Sequence, residues 1–313
     1  MRRWLFLALL LLLSACGKTV QVSDSGILER DRELYDNAKR FLEKSRFTAA
    51  RLQLQTLMDS YPDSEFAPQA KYAYAESFYR ESGHSNLVSA EVEFRQFITF
   101  FPTNDLADDA QLMVAMTHVR QLQKPDRDDT EARLAEYELT AMINEYPDSP
   151  LLDEAKEKLR GVQEILAESI FGPARQYYLR RAYPAVIARC EEILKKYPDF
   201  TGTDRVLYLL GESMEKVNNP EQGATYYAQI VRDYPLSDLV DDSKKHLVQL
   251  QAAVPDPNPL ALAAAQQNQP EGRGLLGWLG FGLFKGGPSI STDTKAASVK
   301  NGGAELVVGG GPE

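Results

Sequence analysis

Leu34–Ser64 reads LYDNAKRFLEKSRFTAARLQLQTLMDSYPDS, and the organisation of the chain follows from it. Leu34, Ala38 and Phe41 stripe one side of a first helix, and Phe47, Ala50, Leu54 and Leu57 stripe a second. Lys, Arg, Glu and Asp occupy the opposite faces. Tyr61-Pro62 closes the pair, because proline has no N–H to donate and its ring clashes with the turn before it. Small residues at Ala38 and Ala50 let the two helices approach closely. A lone pair still cannot bury its apolar stripe, so each pair must pack on the next.

The closing pair recurs at Tyr61-Pro62, Phe101-Pro102, Tyr146-Pro147, Tyr197-Pro198 and Tyr234-Pro235, spaced 40, 45, 51 and 37 residues apart. Each spacing exceeds the tetratricopeptide unit of about 34 residues, which tolerates additions in loops and helix ends. Leu207, Leu210, Gly211, Tyr227 and Ile230 repeat the large, small and aromatic sites of that consensus in the last unit. The expected fold is all-α: a right-handed tetratricopeptide superhelix of five helix-turn-helix repeats over 31–251, with a C-terminal capping helix. Ser64, Ser149 and Ser237 stand where N-caps are needed, with Pro150 at the first helical position and Asp153 and Glu154 complementing the dipole. The same register puts Cys190 at the core site held elsewhere by Leu54, Phe94 and Leu139, where its thiol packs as a small hydrophobe. The third repeat's excess forms an exposed loop, Lys124–Thr130. The fourth repeat's excess extends a helix from about Leu152 to Arg181, kinked at Gly172-Pro173, whose overshooting portion is a candidate docking surface.

The first residues address the compartment. Met1, Arg2 and Arg3 precede an apolar run, Trp4–Leu13, too short for a bilayer core that needs roughly 20 helical residues. It reads as a secretory signal over 1–15. Leu13-Ser14-Ala15-Cys16 resembles the bacterial lipobox, which implies a diacylglyceryl group on Cys16 and cleavage before it. Acyl chains contribute about 0.8 kcal/mol per buried CH₂, so two or three hold a protein at a membrane. Gly17, in place of the Asp of retained lipoproteins, points to the outer membrane's periplasmic face. A linker over 16–30 follows. From Ala252 to Glu313 the chain turns to Pro, Gly, Gln and Asn without periodicity and reads as disordered. One island, 274–284, interrupts it: Leu275, Leu276, Trp278, Leu279, Phe281, Leu283 and Phe284 among four glycines. It is a motif for a lipid interface or a partner's groove, or else adhesive low-complexity sequence.

Composition excludes several function classes. The formal net charge is −10, and −12 once Arg2 and Arg3 leave with the signal, against the basic excess that nucleic-acid binding wants. His84, His118 and His246 are scattered and read as surface residues; no metal-ligand spacing, P-loop or nucleophile elbow is present. Asp126–Asp129 lacks the Gly and terminal Glu of a calcium loop. No catalytic residue, metal or cofactor is expected, and binding falls to the groove lined by first helices. Its expected lining is Arg32, Tyr35, Lys39 and Leu42 in the first repeat, and Ala70, Ala73, Ser77 and Arg80 in the second. Such a face suits an extended peptide and its terminal carboxylate.

The lipobox, the repeats ending in Tyr-Pro-Asp-Ser or variants, and above all Ala174–Asp199 with Tyr177-Tyr178-Leu179-Arg180-Arg181-Ala182-Tyr183 make Leu28–Gln251 similar to the BamD family. These are lipoproteins of the outer-membrane β-barrel assembly machinery. The resemblance implies a periplasmic adaptor whose C-terminal repeats bind a BamA-like barrel-forming subunit and whose N-terminal repeats receive unfolded outer-membrane proteins. Arg189 matches the family's basic residue after the apolar run of the fourth repeat's second helix. Arg189, Lys195 and Asp204 are thereby candidates for contact with the barrel subunit. The competing expectation is a tetratricopeptide lipoprotein scaffold for pilus, secretin or cell-wall machinery.

Overall fold

The structure is a computed structural model that describes residues 24–267; Cys16, the leader and the island at 274–284 lie outside the described residues. Among the described residues the chain forms twelve α-helices and no strand, as the repeat pattern requires. It divides into two compact units, one through Thr117 and one from His118.

The first unit holds α1 (Asp24–Glu43), α2 (Phe47–Ser60), α3 (Ala67–Glu81), α4 (His84–Phe100) and most of α5 (Ala107–Val119). α1 packs on α2, α2 on α3 and α3 on α4. Alanines set the approach: Ala38, Ala50, Ala70 and Ala73 are buried against Leu42, Leu54 and Leu57, with Phe41, Phe47 and Phe66 sealing the edge. α4 contributes Phe94 and Phe97, both fully buried, and Tyr72 of α3 meets each of them edge-on.

The second unit holds α6 (Thr130–Glu145), α7 (Leu152–Leu179), α8 (Tyr183–Lys196), α9 (Thr203–Lys216), α10 (Pro220–Asp233), α11 (Val240–Gln249) and α12 (Pro259–Gln267). From α6 to α11 each helix packs on its neighbour in sequence, and α12 lies against α10. α9 and α10 approach closely. A Cβ at Gly211 would stand 2.6 Å from the Tyr227 ring, and one at Gly223 would stand 3.0 Å from the Gly211 carbonyl oxygen. Tyr227 is itself fully buried with Leu207, Ile230 and Leu247, so its ring has no room to withdraw. Cys190 is buried as the register requires, and desolvation pushes its thiol up to about 12.

Two kinds of turn join the helices. Within the repeats the first helix ends on a left-handed residue: Ser45 (φ 54°), Ser82 (φ 65°), Arg181 (φ 59°) and Asn218 (φ 64°), with Gln251 (φ 55°) ending α11 likewise. At Ser45, Arg181, Asn218 and Gln251 two amides cap the last carbonyls: Ser45 N–H donates to Leu42 O and Arg46 N–H to Phe41 O, and the other three follow suit. This is the Schellman arrangement, which usually recruits glycine. Here the sequence supplies none at those four positions.

Between repeats the aromatic-Pro pair opens a tight turn in which the fourth residue's N–H donates to the aromatic's carbonyl, as from Ser64 to Tyr61 at 3.1 Å. Ser64, Ser149 and Ser237 each accept an amide, from Phe66, Leu151 and Leu239. They do not cap the helices themselves as expected. A further turn intervenes, so α3, α7 and α11 begin three residues after each serine and Pro150 precedes α7. The hydroxyls of Ser64 and Ser237 also donate to carboxylates of the preceding first helix, Asp31 (2.5 Å) and Asp204 (2.6 Å), tying successive repeats together. In the fourth turn Phe200 stands in that place, and Glu164 accepts instead from the N–H and hydroxyl of Thr201 at 2.9 and 2.7 Å.

α7 runs through Gly172-Pro173 as one helix, close to the expected span, and ends at Leu179, since Arg181 takes the left-handed conformation that stops it. One expectation needs correction. The stretch from Ala252, read as structureless, is ordered as far as Gln267. Asn258 N–H donates to Arg232 O at 2.8 Å, and its side chain caps α12 by accepting from Leu260 N–H at 3.0 Å.

Candidate partner-binding surfaces

In the first unit, α1 and α3 bring Tyr35, Lys39, Glu76 and Arg80 to one face. The Tyr35 ring stacks on Phe66 at 5.4 Å, and the Lys39 ammonium sits 5.7 Å above it. Arg80 donates to the Leu42 carbonyl at 3.1 Å, lies 3.8 Å from Glu76 and reaches over the Phe47 ring. Burial, then the nearby Glu76 and Asp36, pushes the Tyr35 hydroxyl above its ordinary pKa; burial also raises the Glu76 carboxyl, against the pull of Arg80. Arg32 stands exposed one turn before Tyr35. Leu42, Ala70, Ala73 and Ser77, expected in the groove, are buried instead, because these positions face the neighbouring helices. Glu76 and Phe66 are additions to the face. The spacing of Glu76 four residues before Arg80 was the available signal for the first.

In the second unit, Arg189 projects from α8 and bonds Glu192 at 3.0 Å, while Lys196 bonds the other oxygen at 2.7 Å. These bonds, Lys196 first, hold the Glu192 carboxyl below its usual range. Lys195 is exposed on the same turn. Asp204 is bonded within the chain at the turn between repeats. Its carboxylate takes the Ser237 hydroxyl on one oxygen and the Arg205 N–H on the other, so its chemistry is spent on the turn between repeats.

The loop is exposed as expected and lies along α7. Pro125–Asp129 and the stretch from Glu168 to Arg180 enclose an open cleft of about 760 Å³, so the overshooting part of α7 is partly covered. Three of its acids are bonded: Asp128 accepts from Thr130, Asp129 pairs with Arg133 at 2.7 Å, and Glu168 bridges Arg175 (3.1 Å) and Arg205 (3.4 Å). Asp128 and Asp129 are held below the ordinary carboxylate range by those bonds. Among the described residues no group of His, Cys, Asp and Glu is arranged to hold a metal.

Two histidines are not the surface residues expected. His118 is buried, with Nδ1 2.8 Å from Glu131. His246 of α11 is half-buried, stacked on Tyr227 at 4.5 Å, with Nδ1 2.8 Å from a Glu215 oxygen in a contact that is not aligned as a hydrogen bond. The Tyr227 hydroxyl donates to the same Glu215 oxygen at 2.7 Å, and Tyr208 meets His246 edge-on. Glu212, raised by burial, takes a bond from Tyr178, whose hydroxyl is pushed up to about 12 by desolvation and then by Glu212.

Known proteins place this arrangement. The family model YfiO, described as an outer membrane lipoprotein, matches residues 29–222. Outer membrane protein assembly factor BamD of Vibrio cholerae serotype O1 is 24% identical over 195 residues, covering 59% of this chain and 80% of that protein. The BamD of Neisseria meningitidis serogroup A is 23% identical over 237 residues, covering 72% and 89%. Among solved structures, the TPR2AB-domain:pHSP90 complex of yeast Sti1 overlays with a TM-score of 0.36 at 10% identity, covering 76% of this chain and 96% of that one. With the family model spanning most of the helices from α1 through α9 and into α10, the chain belongs to the YfiO, or BamD, family of outer membrane lipoproteins.

Proposed function

We propose that the chain is an assembly adaptor for outer-membrane β-barrel proteins, held by acyl chains on Cys16 at the periplasmic face of the outer membrane. The family match over residues 29–222, with relatives named as outer membrane protein assembly factors, carries the reading. The stacked helical hairpins within each unit suit a protein that holds others, since their packed pairs present side chains from successive helices. Arg32, Tyr35, Lys39 and Arg80 form the receiving face for unfolded outer-membrane polypeptides. Tyr35 offers a ring for apolar side chains, and the cations offer partners for carboxylates. Arg189 and Lys195 on α8 are the contact for the barrel-forming subunit. Arg189 pairs with Glu192 on its own helix, a surface bond contributing no more than about 1 kcal/mol, so it can exchange Glu192 for a partner's carboxylate at little expense.

Depletion tests the reading: outer-membrane barrel proteins should disappear from the membrane and accumulate unfolded, and their normal maturation would overturn it. Arg189→Glu should abolish co-purification with an integral barrel protein bearing periplasmic domains, with the helical spectrum unchanged.

A further inference from the structure

We propose that the second unit has a polypeptide-binding cleft of its own, between the loop 125–129 and α7, which takes an extended segment carrying a carboxylate. The cleft is open, holds about 760 Å³ and so has the dimensions of a ligand site. Its α7 wall offers a main-chain acceptor. Inside a helix each N–H donates to the carbonyl four residues before it, and Pro173 has none to give to Ser169. Ser169, Gly172 and Pro173 all line the cleft, so the break in the ladder opens on it. The Ser169 hydroxyl is turned away, donating to Leu166 O at 2.7 Å. A Cβ added at Gly172 would meet nothing within 4 Å, so another chain can lie directly against the helix backbone there.

Charge selects the occupant. Arg127 of the loop and Arg180 at the end of α7 line the cleft, stand exposed and enter no ion pair among the described residues. Asp128, Asp129 and Glu168 are bonded within the chain, and Glu168 holds Arg175. Asp126 is the remaining acid of the lining, so the unpaired charge is positive and calls for a carboxylate or another anion. A phosphate would satisfy the arginines but brings no N–H for the Ser169 carbonyl. An extended polypeptide brings both, a main-chain N–H at each residue other than proline and a carboxylate from a side chain or from its end. This cleft belongs to a different unit from Tyr35 and Arg80, and the depletion experiment above tests the adaptor reading separately.

Fluorescence polarisation of a labelled peptide of alternating Thr and Glu with a free C-terminus, added to the purified full chain in detergent, tests this. Arg127→Ala with Arg180→Ala should weaken binding at least about tenfold, as the loss of a charge-assisted bond requires. Pro173→Ala should weaken it about threefold to fivefold, because the restored N–H occupies the Ser169 carbonyl. That variant mends α7, so its loss of binding cannot come from unfolding. The peptide with Gln for Glu and a C-terminal amide should bind the parent chain no better than the original peptide binds the double-arginine variant. The proposal is overturned if the parent chain does not bind the peptide, or if either variant binds it unchanged. It is also overturned if Arg80→Ala alone abolishes binding, which would put the peptide on the first unit, or if phosphatidylglycerol displaces the peptide, which would make the cleft a lipid-headgroup site.

Discussion

The two units finish their packing in opposite ways. In the first, helices approach on alanines and the gaps fill with Leu42, Leu54 and Leu57, while Tyr35, Lys39, Glu76 and Arg80 gather at the rim. In the second, the last hairpin closes on Gly211 and Tyr227, and α11 is pinned over it by a half-buried polar cluster of His246, Glu215, Tyr208 and Tyr227. Small-against-large apolar packing is non-directional and can be repeated from hairpin to hairpin. A polar cluster needs every partner in place, so it fixes one position for one helix and ends the stack.

The contrast can be broken most severely in the first core. Leu54→Ala should destabilise that unit by about 2–5 kcal/mol, read from the urea midpoint, because Leu54 is fully buried among its neighbours. At the closing hairpin the opposite error is the sensitive one: Gly211→Ala should cost about 1–3 kcal/mol by overpacking against the immobile Tyr227 ring. If Gly211→Ala is neutral, the close approach of α9 and α10 is not what sets that repeat.

Acidity sharpens the comparison, since each unit holds a carboxyl raised by burial, Glu76 in the first and Glu212 in the second. A carboxyl whose folded pKa exceeds its unfolded value favours folding while protonated. That contribution is present below the unfolded value, about 4.3, and is lost as pH rises through the folded one. Glu76→Gln and Glu212→Gln should therefore flatten the fall in stability as pH rises from about 4, measured by urea titration across that range. A parallel fall in parent and variant would refute this. The smallest effect belongs to the turns: Arg181→Gly should gain about 1 kcal/mol by relieving a left-handed residue that carries a Cβ.

The repeat was legible in the sequence because its signals are local: the apolar stripe, the small residues and the aromatic-Pro stop each act within a few residues. The consensus places of Gly211 and Tyr227 and the burial of Cys190 followed from register alone. The turns inside the repeats were not legible, since Ser45, Arg181, Asn218 and Gln251 take a glycine's conformation without being glycine. Nor was the depth of the first helices' faces. Leu42, Ala70, Ala73 and Ser77 sit at groove positions by count but are covered because consecutive hairpins rotate them inward. Asp204 reads as a free surface acid, and only the 33-residue match between Asp31–Ser64 and Asp204–Ser237 shows it to be a structural tie. α12 escaped notice because nine residues of Pro, Leu, Ala and Gln have no helical periodicity to read.

Cys190 has a practical consequence. Buried, with its thiol pushed up to about 12, it should ignore maleimides and disulfide reagents under native conditions. A cysteine introduced at Lys39 or Lys195 would then be the one labelling handle in the described part of the molecule. Photo-crosslinkers placed there could record which polypeptide touches each face in living cells, without first removing a native thiol from the packed interior.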